Sequence, residues 1–234
     1  LTARVSFVLM YWSYYRNDPL QIVDLRDGGF LAWPGVIALI LGALLYGWRR
    51  PALRKPLSAG VITGLLFWGM TSLSLSLYDK GSRLPDITLR NANGEVVQLG
   101  DYQGGPLVIN LWATWCPPCR REMPVLERAQ RQRPDVTFLF VNQAESMQSV
   151  STYLATQGLT LDNVLFDASG RLGQAVGSMA LPTTLFYQAD GRLINSHLGE
   201  LSQASLARAM EPFDTTPAVT PPTRKPTCPA SATC

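Results

Sequence analysis

Cys116 and Cys119 stand two residues apart where one chain pattern gives way to another. Residues 106–114, Pro-Leu-Val-Ile-Asn-Leu-Trp-Ala-Thr, form an apolar, strand-like run, whereas residues 120–131 place Met123, Val125, Leu126 and Ala129 at helical spacing. A buried strand turning into a helix at this point sets Cys116 at the helix N-terminus. Unpaired amides and the positive end of the helix dipole favour a thiolate there. Cys119 lies one turn further on, where it can close a disulfide. Pro117 and Pro118 fall in the first helical turn, where a missing N–H is harmless. The pattern suits thiol–disulfide exchange, in which one thiolate attacks a partner's disulfide and the other resolves the mixed disulfide.

The competing reading of a CxxC pair is half a zinc site, which needs two further ligands at close spacing. The sole histidine, His197, stands alone in a strand-like run, and Cys228 and Cys234 lie in a proline-rich tail at the wrong spacing. The redox reading is therefore preferred, with no metal and no diffusible cofactor, because a dithiol carries two electrons itself. A net charge of +3 over 234 residues, with no basic patch laced by aromatics, gives no ground for a nucleic-acid partner. The length allows one or two domains. The chain begins with Leu1 rather than Met, as expected of a piece of a longer polypeptide.

The first third is membrane-like. Residues 1–15 carry an apolar run, 5–12, read as the end of a truncated helix, and residues 16–29 are a polar loop. Residues 31–48 and 56–78 are two uncharged spans, each long enough to cross a bilayer. Trp33, Trp48, Trp68 and Tyr78 lie at or near their ends as interfacial aromatics. Gly60, Gly64 and Gly69 allow close helix packing in the second span. The alternative is a pair of buried core helices. Arg49, Arg50, Arg54 and Lys55 separate the spans, and the positive-inside rule places that loop in the cytoplasm. The loop at 16–29 and everything after Tyr78 then lie in the periplasm, a compartment that supports disulfides. Tyr15-Arg-Asn-Asp-Pro19, Asp27-Gly-Gly-Phe30, Gly35 and Arg49-Arg50 resemble part of prolipoprotein diacylglyceryl transferase over residues 5–70. Trp33 and Pro34 stand where that enzyme carries a His-Gly pair, and the region contains no histidine. Residues 1–78 are accordingly read as a lipid-embedded anchor of that ancestry rather than a lipid transferase.

A linker at 79–84 leads to a domain spanning 85–211. Residues 87–89 and 96–97 read as a hairpin turning at Asn93-Gly94. Strands follow at 107–113, 136–141 and 163–166. Helices are expected at 146–157, closed by Gly158, and at 169–176, with a kink at Pro124 in the helix after the cysteines. A second hairpin, 183–188 with 193–198, turns at Asp190-Gly191, and a helix at 202–210 closes the domain. The order β-β-β-α-β-α-β-α-β-β-α is an α/β sandwich on a mixed sheet.

Asn110-Leu-Trp-Ala-Thr-Trp-Cys-Pro-Pro-Cys-Arg-Arg-Glu-Met-Pro124, with Leu181-Pro-Thr-Thr184 and Asp190-Gly191 downstream, resembles the TlpA/ResA-like thioredoxin family of membrane-anchored thiol–disulfide oxidoreductases over residues 83–212. The resemblance implies a thioredoxin-like fold with that family's insertion, a helix and a strand between Phe140 and Ser169, preceded here by two or three transmembrane helices. It implies that Cys116 is the nucleophile, Cys119 the resolving thiol and Pro182 a cis-proline opposite them. An ordinary trans proline at a strand start is the alternative. Trp115, Pro117, Pro118, Leu181 and Thr183 would then border the substrate-docking surface. Asn110 stands where thioredoxin itself has a buried aspartate. Glu122 has two readings, as a group tuning proton transfer between the thiols or as a surface residue favouring the helix start. The same resemblance implies partners among periplasmic protein thiols and disulfides, including cytochrome c apoproteins, and a DsbD-like transmembrane electron donor, with reduction the more frequent direction. Residues 212–234 read as a disordered proline-rich tail. Two other classes stay open: a lipid-modifying membrane enzyme with a redox appendage, and a non-catalytic docking module.

Overall fold

The structure is a computed structural model and describes residues 1–16 and 19–215. Asn17 and Asp18, and the tail from residue 216 with Cys228 and Cys234, lie outside the described residues. The chain forms α1 (Thr2–Met10), α2 (Trp12–Tyr15), α3 (Ala32–Arg49), α4 (Arg54–Gly81), β1 (Thr88–Asn91), β2 (Val96–Gln98), β3 (Leu107–Trp112), α5 (Pro117–Gln132), β4 (Thr137–Gln143), α6 (Met147–Gln157), β5 (Val164–Asp167), α7 (Arg171–Ala175), β6 (Thr183–Tyr187), β7 (Leu193–Leu198) and α8 (Gln203–Thr215). From β1 onward this is the expected order.

The seven strands make one mixed sheet in the order β2-β1-β5-β4-β3-β6-β7. Strands β3, β4 and β5 run parallel, with β1, β6 and β7 antiparallel to their neighbours. The α6–β5 unit is the insertion, and it places β5 between β1 and β4. All six residues of β3 are buried, so both faces of the pleat meet a core. Val108 and Trp112 face one side with Met123 and Leu126 of α5, Phe140 and Phe186. Leu107, Ile109 and Leu111 face the other, with Leu139, Leu165 and Leu172. Parity alone then turns Asn110 toward α5. Short-range signals hold elsewhere too. Asn91 Oδ1 accepts from the amides of Asn93 and Glu95 around Gly94, whose φ is 82°. Ser146 caps α6 by accepting from Ser149 N–H, and Gly158 ends the helix in the left-handed region.

Helices α3 and α4 are long and apolar enough to cross a membrane. Almost none of either apolar stretch is buried within the molecule, and Trp48, for example, is 75% exposed. A core helix would turn that surface inward, so the core reading fails. The close packing expected at Gly60, Gly64 and Gly69 is not made within the described residues, since beyond the local helix backbone no atom lies within 4 Å of where a Cβ would stand. Helix α4 runs past the expected span and through the first half of the expected linker. Its end is tied to β7 by Leu193 N–H to Ser82 O (2.9 Å) and Leu84 N–H to Gly191 O (2.8 Å).

The described residues before α3 pack on the α/β domain. Phe7, Val8, Tyr15 and Leu31 are buried together with Ala204 of α8. Arg208 of α8 donates to Phe30 O (2.7 Å) and lies over the Phe7 ring. The physical reason is Arg4, buried in α1. Its guanidinium donates to Asp27 Oδ1 (2.9 Å) and to the carbonyls of Gln21, Ile22, Asp24 and Gly29, partners that a folded loop supplies and a bilayer interior does not.

Helix α8 also extends past its expected end at residue 210. Pro212 lies inside it, and Phe213, placed in the tail by composition, is buried against Phe186 at 6.4 Å between ring centroids. Phe213→Ala should therefore destabilise the domain by about 3 kcal/mol, as large-to-small core changes do, measured by urea unfolding of the full chain. A loss under about 1 kcal/mol would exclude the last turn of α8 from the core.

Candidate active site

Strand β3 delivers the chain to residues 113–116, where an extended Cys116 (φ −88°, ψ 108°) caps α5. Cys116 Sγ accepts from Cys119 N–H at 3.3 Å, and Pro117 and Pro118 fill the first helical positions. The two cysteines form a disulfide with 5.3 Å between Cα atoms. Cys119 is fully buried and Cys116 retains 3% exposure, so of the two Cys116 is the one that reaches the surface.

The turn before Cys116 is held by a residue the sequence reading missed. Glu145 Oε2 accepts from Thr114 N–H (2.7 Å) and Asn142 Nδ2 (2.7 Å), while Oε1 accepts from Thr114 Oγ1. The chain reverses into Glu145 through Ala144 at φ 58°. The available signal was a glutamate immediately before the Ser146 cap. Trp112 is buried and packs on Tyr153 at 5.8 Å. Trp115 is 67% exposed beside Cys116.

The Leu181–Pro182 peptide is cis. Leu111 of β3 pairs with Thr183 of β6, so Pro182 lies at the end of the sheet that leads to the cysteines. Gly199 N–H donates to Pro182 O (2.9 Å), joining the loop after β7 to the proline. Thr183, expected on the docking surface, is buried instead. Its Oγ1 donates to Ala180 O and accepts from Ser178 Oγ, both at 2.7 Å, so the side chain shapes the loop before Pro182. Leu181 is half-buried, and Pro117 and Pro118 stand at the surface beside Trp115. Met179 (70% exposed), in the loop before Pro182, and Leu198 (64% exposed), paired with Thr183, are apolar surface that the sequence reading did not single out.

Glu122 is fully buried, which excludes the surface reading. Oε1 accepts from Asn110 Nδ2 (2.8 Å) and Oε2 from Leu201 N–H (2.9 Å). Asn110 Nδ2 also donates to Thr184 Oγ1 (3.0 Å). Burial pushes the carboxyl up to about 8, against the opposing pull of these two donors. A glutamate one turn beyond Cys119 is thereby able to hold or accept a proton near neutral pH. His197 lies on β7 with Nε2 3.3 Å from Glu200 O, and burial lowers its pKa. Among the described residues no group of three or more His, Cys, Asp or Glu side chains is arranged to hold a metal.

A family model described as Redoxin matches residues 79–210. The chain is 30% identical over 136 residues to thioredoxin-like protein YneN of Bacillus subtilis, covering 56% of this chain and 79% of that one. It is 27% identical to the thiol–disulfide oxidoreductase ResA of Halalkalibacterium halodurans, covering 70% and 93%. The solved structure of DsbF from MTB superposes with a TM-score of 0.50 at 23% identity, over 55% of this chain and 95% of that one, a likeness of fold. Fold and site together define a thioredoxin-fold protein with a cysteine pair at a helix N-terminus and a cis-proline at the same end of the sheet. The chain belongs to the redoxin family, as a TlpA/ResA-like thiol–disulfide oxidoreductase.

The Glu122 environment predicts a pH dependence. An ordinary glutamate titrates at about 4.5 and Glu122 at about 8. Between those values the folded protein keeps a proton that the unfolded chain has lost, so this contribution to stability is complete below about 4.5 and is lost as pH rises through about 8. Glu122→Gln removes the titration, and because Asn110 Oδ1 has no partner, the asparagine amide can turn to meet the new group. The thermal midpoint of the wild type should fall from about pH 5 to about pH 8 and that of the variant should stay nearly flat. Equal slopes in the two proteins would exclude a neutral buried Glu122.

Proposed function

We propose that this chain is a membrane-anchored periplasmic reductase of protein disulfides, with residues 1–78 as anchor, residues 85–211 as the redox domain, Cys116 as nucleophile and Cys119 as resolving thiol. The observation that carries this reading is the Cys116–Cys119 disulfide at the start of α5, with Cys116 the less buried member and Trp115 exposed beside it. In the reduced protein the Cys116 thiolate attacks a substrate disulfide, forms a mixed disulfide and releases one substrate thiolate. Cys119 then loses its proton, with Glu122 positioned to accept it, and attacks Cys116 Sγ. That closes the internal disulfide and frees the second substrate thiol, so two electrons pass to the substrate. Backbone groups beside cis-Pro182 pair with an extended substrate segment at the docking rim.

Electrons return from a DsbD-like transmembrane donor. Substrates are periplasmic proteins with disulfides between reactive cysteines, cytochrome c apoproteins among them, in keeping with the kinship to ResA. The exposed apolar surfaces of α3 and α4, with Arg49, Arg50, Arg54 and Lys55 at their turn, support insertion as a membrane hairpin with the turn inside.

Two measurements test this. Cys119→Ser expressed in a periplasm should accumulate disulfide-linked complexes through Cys116, and the Cys116→Ser,Cys119→Ser variant should accumulate none even with Cys228 and Cys234 intact. Complexes of the same composition in the double variant would move the exchange to other cysteines. A reporter fused after Leu84 should be active only outside the cytoplasm, and cytoplasmic activity would reverse the topology.

A further inference from the structure

The segment before the first span is connected to the dithiol site through one carboxylate. Asp27, 5% exposed, has four donors: Arg4 Nη1 (2.9 Å) and Gly29 N–H (3.1 Å) on Oδ1, and Ser202 Oγ (2.8 Å) and Tyr15 OH (3.1 Å) on Oδ2. Ser202 lies just before α8, where the helix dipole favours a nearby carboxylate. It is locked reciprocally, accepting from Ser205 N–H (3.2 Å) on its hydroxyl while its own amide donates to Ser205 Oγ (2.9 Å). The residue before it, Leu201, donates the amide that holds Glu122 Oε2. Continuous contacts therefore run from Arg4 and Asp27 to Ser202 and Leu201, and on to Glu122 and Asn110.

We propose that Asp27 is a positioning residue for the redox site: through Ser202 it fixes the Leu201 amide on Glu122, so the anchor segment sets proton transfer beneath the disulfide. The proposal rests on Glu122 being the proton acceptor of the resolving step. Asp24, Arg26 and Arg128 line the same cleft as Asp27, Leu201 and Ser202. Glu200 raises the Glu122 pKa and is itself paired with Arg121 Nη2 at 2.6 Å. Arg4 faces Asp27, Asn110 and Thr184 reach Glu122 or its partner from the sheet, and Cys116 and Cys119 lie on its own helix. His197 on β7 is influenced by Asp27 and titrates below its ordinary 6.5, beneath the window in which Glu122 changes charge. Without Asp27 the loop at 199–202 loses its tie to residues 1–31, and the Leu201 amide no longer supports the charged form of Glu122.

The test uses the full chain, reduced, in detergent micelles, with the rate of Cys116 alkylation followed from about pH 7 to pH 10. The inflections belong to the coupled thiols and Glu122 together. Asp27→Ala should move the inflection of this profile set by Glu122 up by about half to one pH unit, the scale of one weakened hydrogen bond to a charge. In a Glu122→Gln background the same substitution should leave the profile where Glu122→Gln alone puts it. Asp27→Ala superimposing on the wild type, or shifting both backgrounds equally, overturns the proposal. Should Asp27→Ala fail to fold, because Arg4 is left buried without its carboxylate, Ser202→Ala keeps the Arg4–Asp27 pair and carries the same expectation, with an unmoved profile as the overturning result. A wild-type Cys116 that does not alkylate at any pH would instead defeat the redox assignment itself.

Discussion

The hydrogen bond from Asn110 Nδ2 to Glu122 joins the sheet to the helix that carries the cysteines, and much of the site depends on it. A carboxyl buried under a disulfide is costly unless donors meet it. Asn110 can donate only because β3 is buried on both faces and its pleat turns residue 110 toward α5. Thr184, on the facing position of β6, fixes the asparagine in turn. The second donor, Leu201 N–H, is available only if the chain leaves β7 and enters α8 along one path. The site is thus assembled from β3, α5, β6 and the β7–α8 loop, which lie far apart in sequence. Few of its members can move alone.

Features with a local signature were legible in the sequence. The Cys-Pro-Pro-Cys run at a strand–helix boundary, the Asn-Gly hairpin, the Ser146 and Gly158 caps and the order of strands each rest on a few neighbouring residues. The cis-proline and the role of the cysteines came through resemblance, which carries what spacing does not. What escaped depends on contacts between distant residues. Arg4 and Asp27 are 23 positions apart and meet Ser202 across 175 more. No periodicity announces such a pairing, and an arginine just before an apolar run gives no sign of a distant carboxylate partner. Phe213 was lost to the tail because Pro212 precedes it, and composition weighed more than a single aromatic. Glu145 looked like any polar residue before a helix cap. Thr183 matched a motif, but alternation along β6 turned its hydroxyl inward.

The N-terminal part divides in two along the same physical line. Helices α3 and α4 hold their apolar surfaces outward and satisfy their backbones internally, the arrangement that a segment crossing a bilayer requires. The residues before them bury the Arg4 guanidinium with its carboxylate and bond each of its nitrogens to a fixed partner, as a protein interior requires. Sequence hydropathy groups these two parts together, whereas side-chain partners separate them.

Both ends of the helix pair are fastened to the redox domain, one through Phe30 and Arg208 and the other through Ser82, Leu84 and the β6–β7 hairpin. With the hairpin in a bilayer, the domain is not a ball on a flexible leash. It sweeps a small volume at a nearly constant height, and its encounters with another membrane protein become a two-dimensional search at high effective concentration. A soluble substrate, by contrast, must come to that layer.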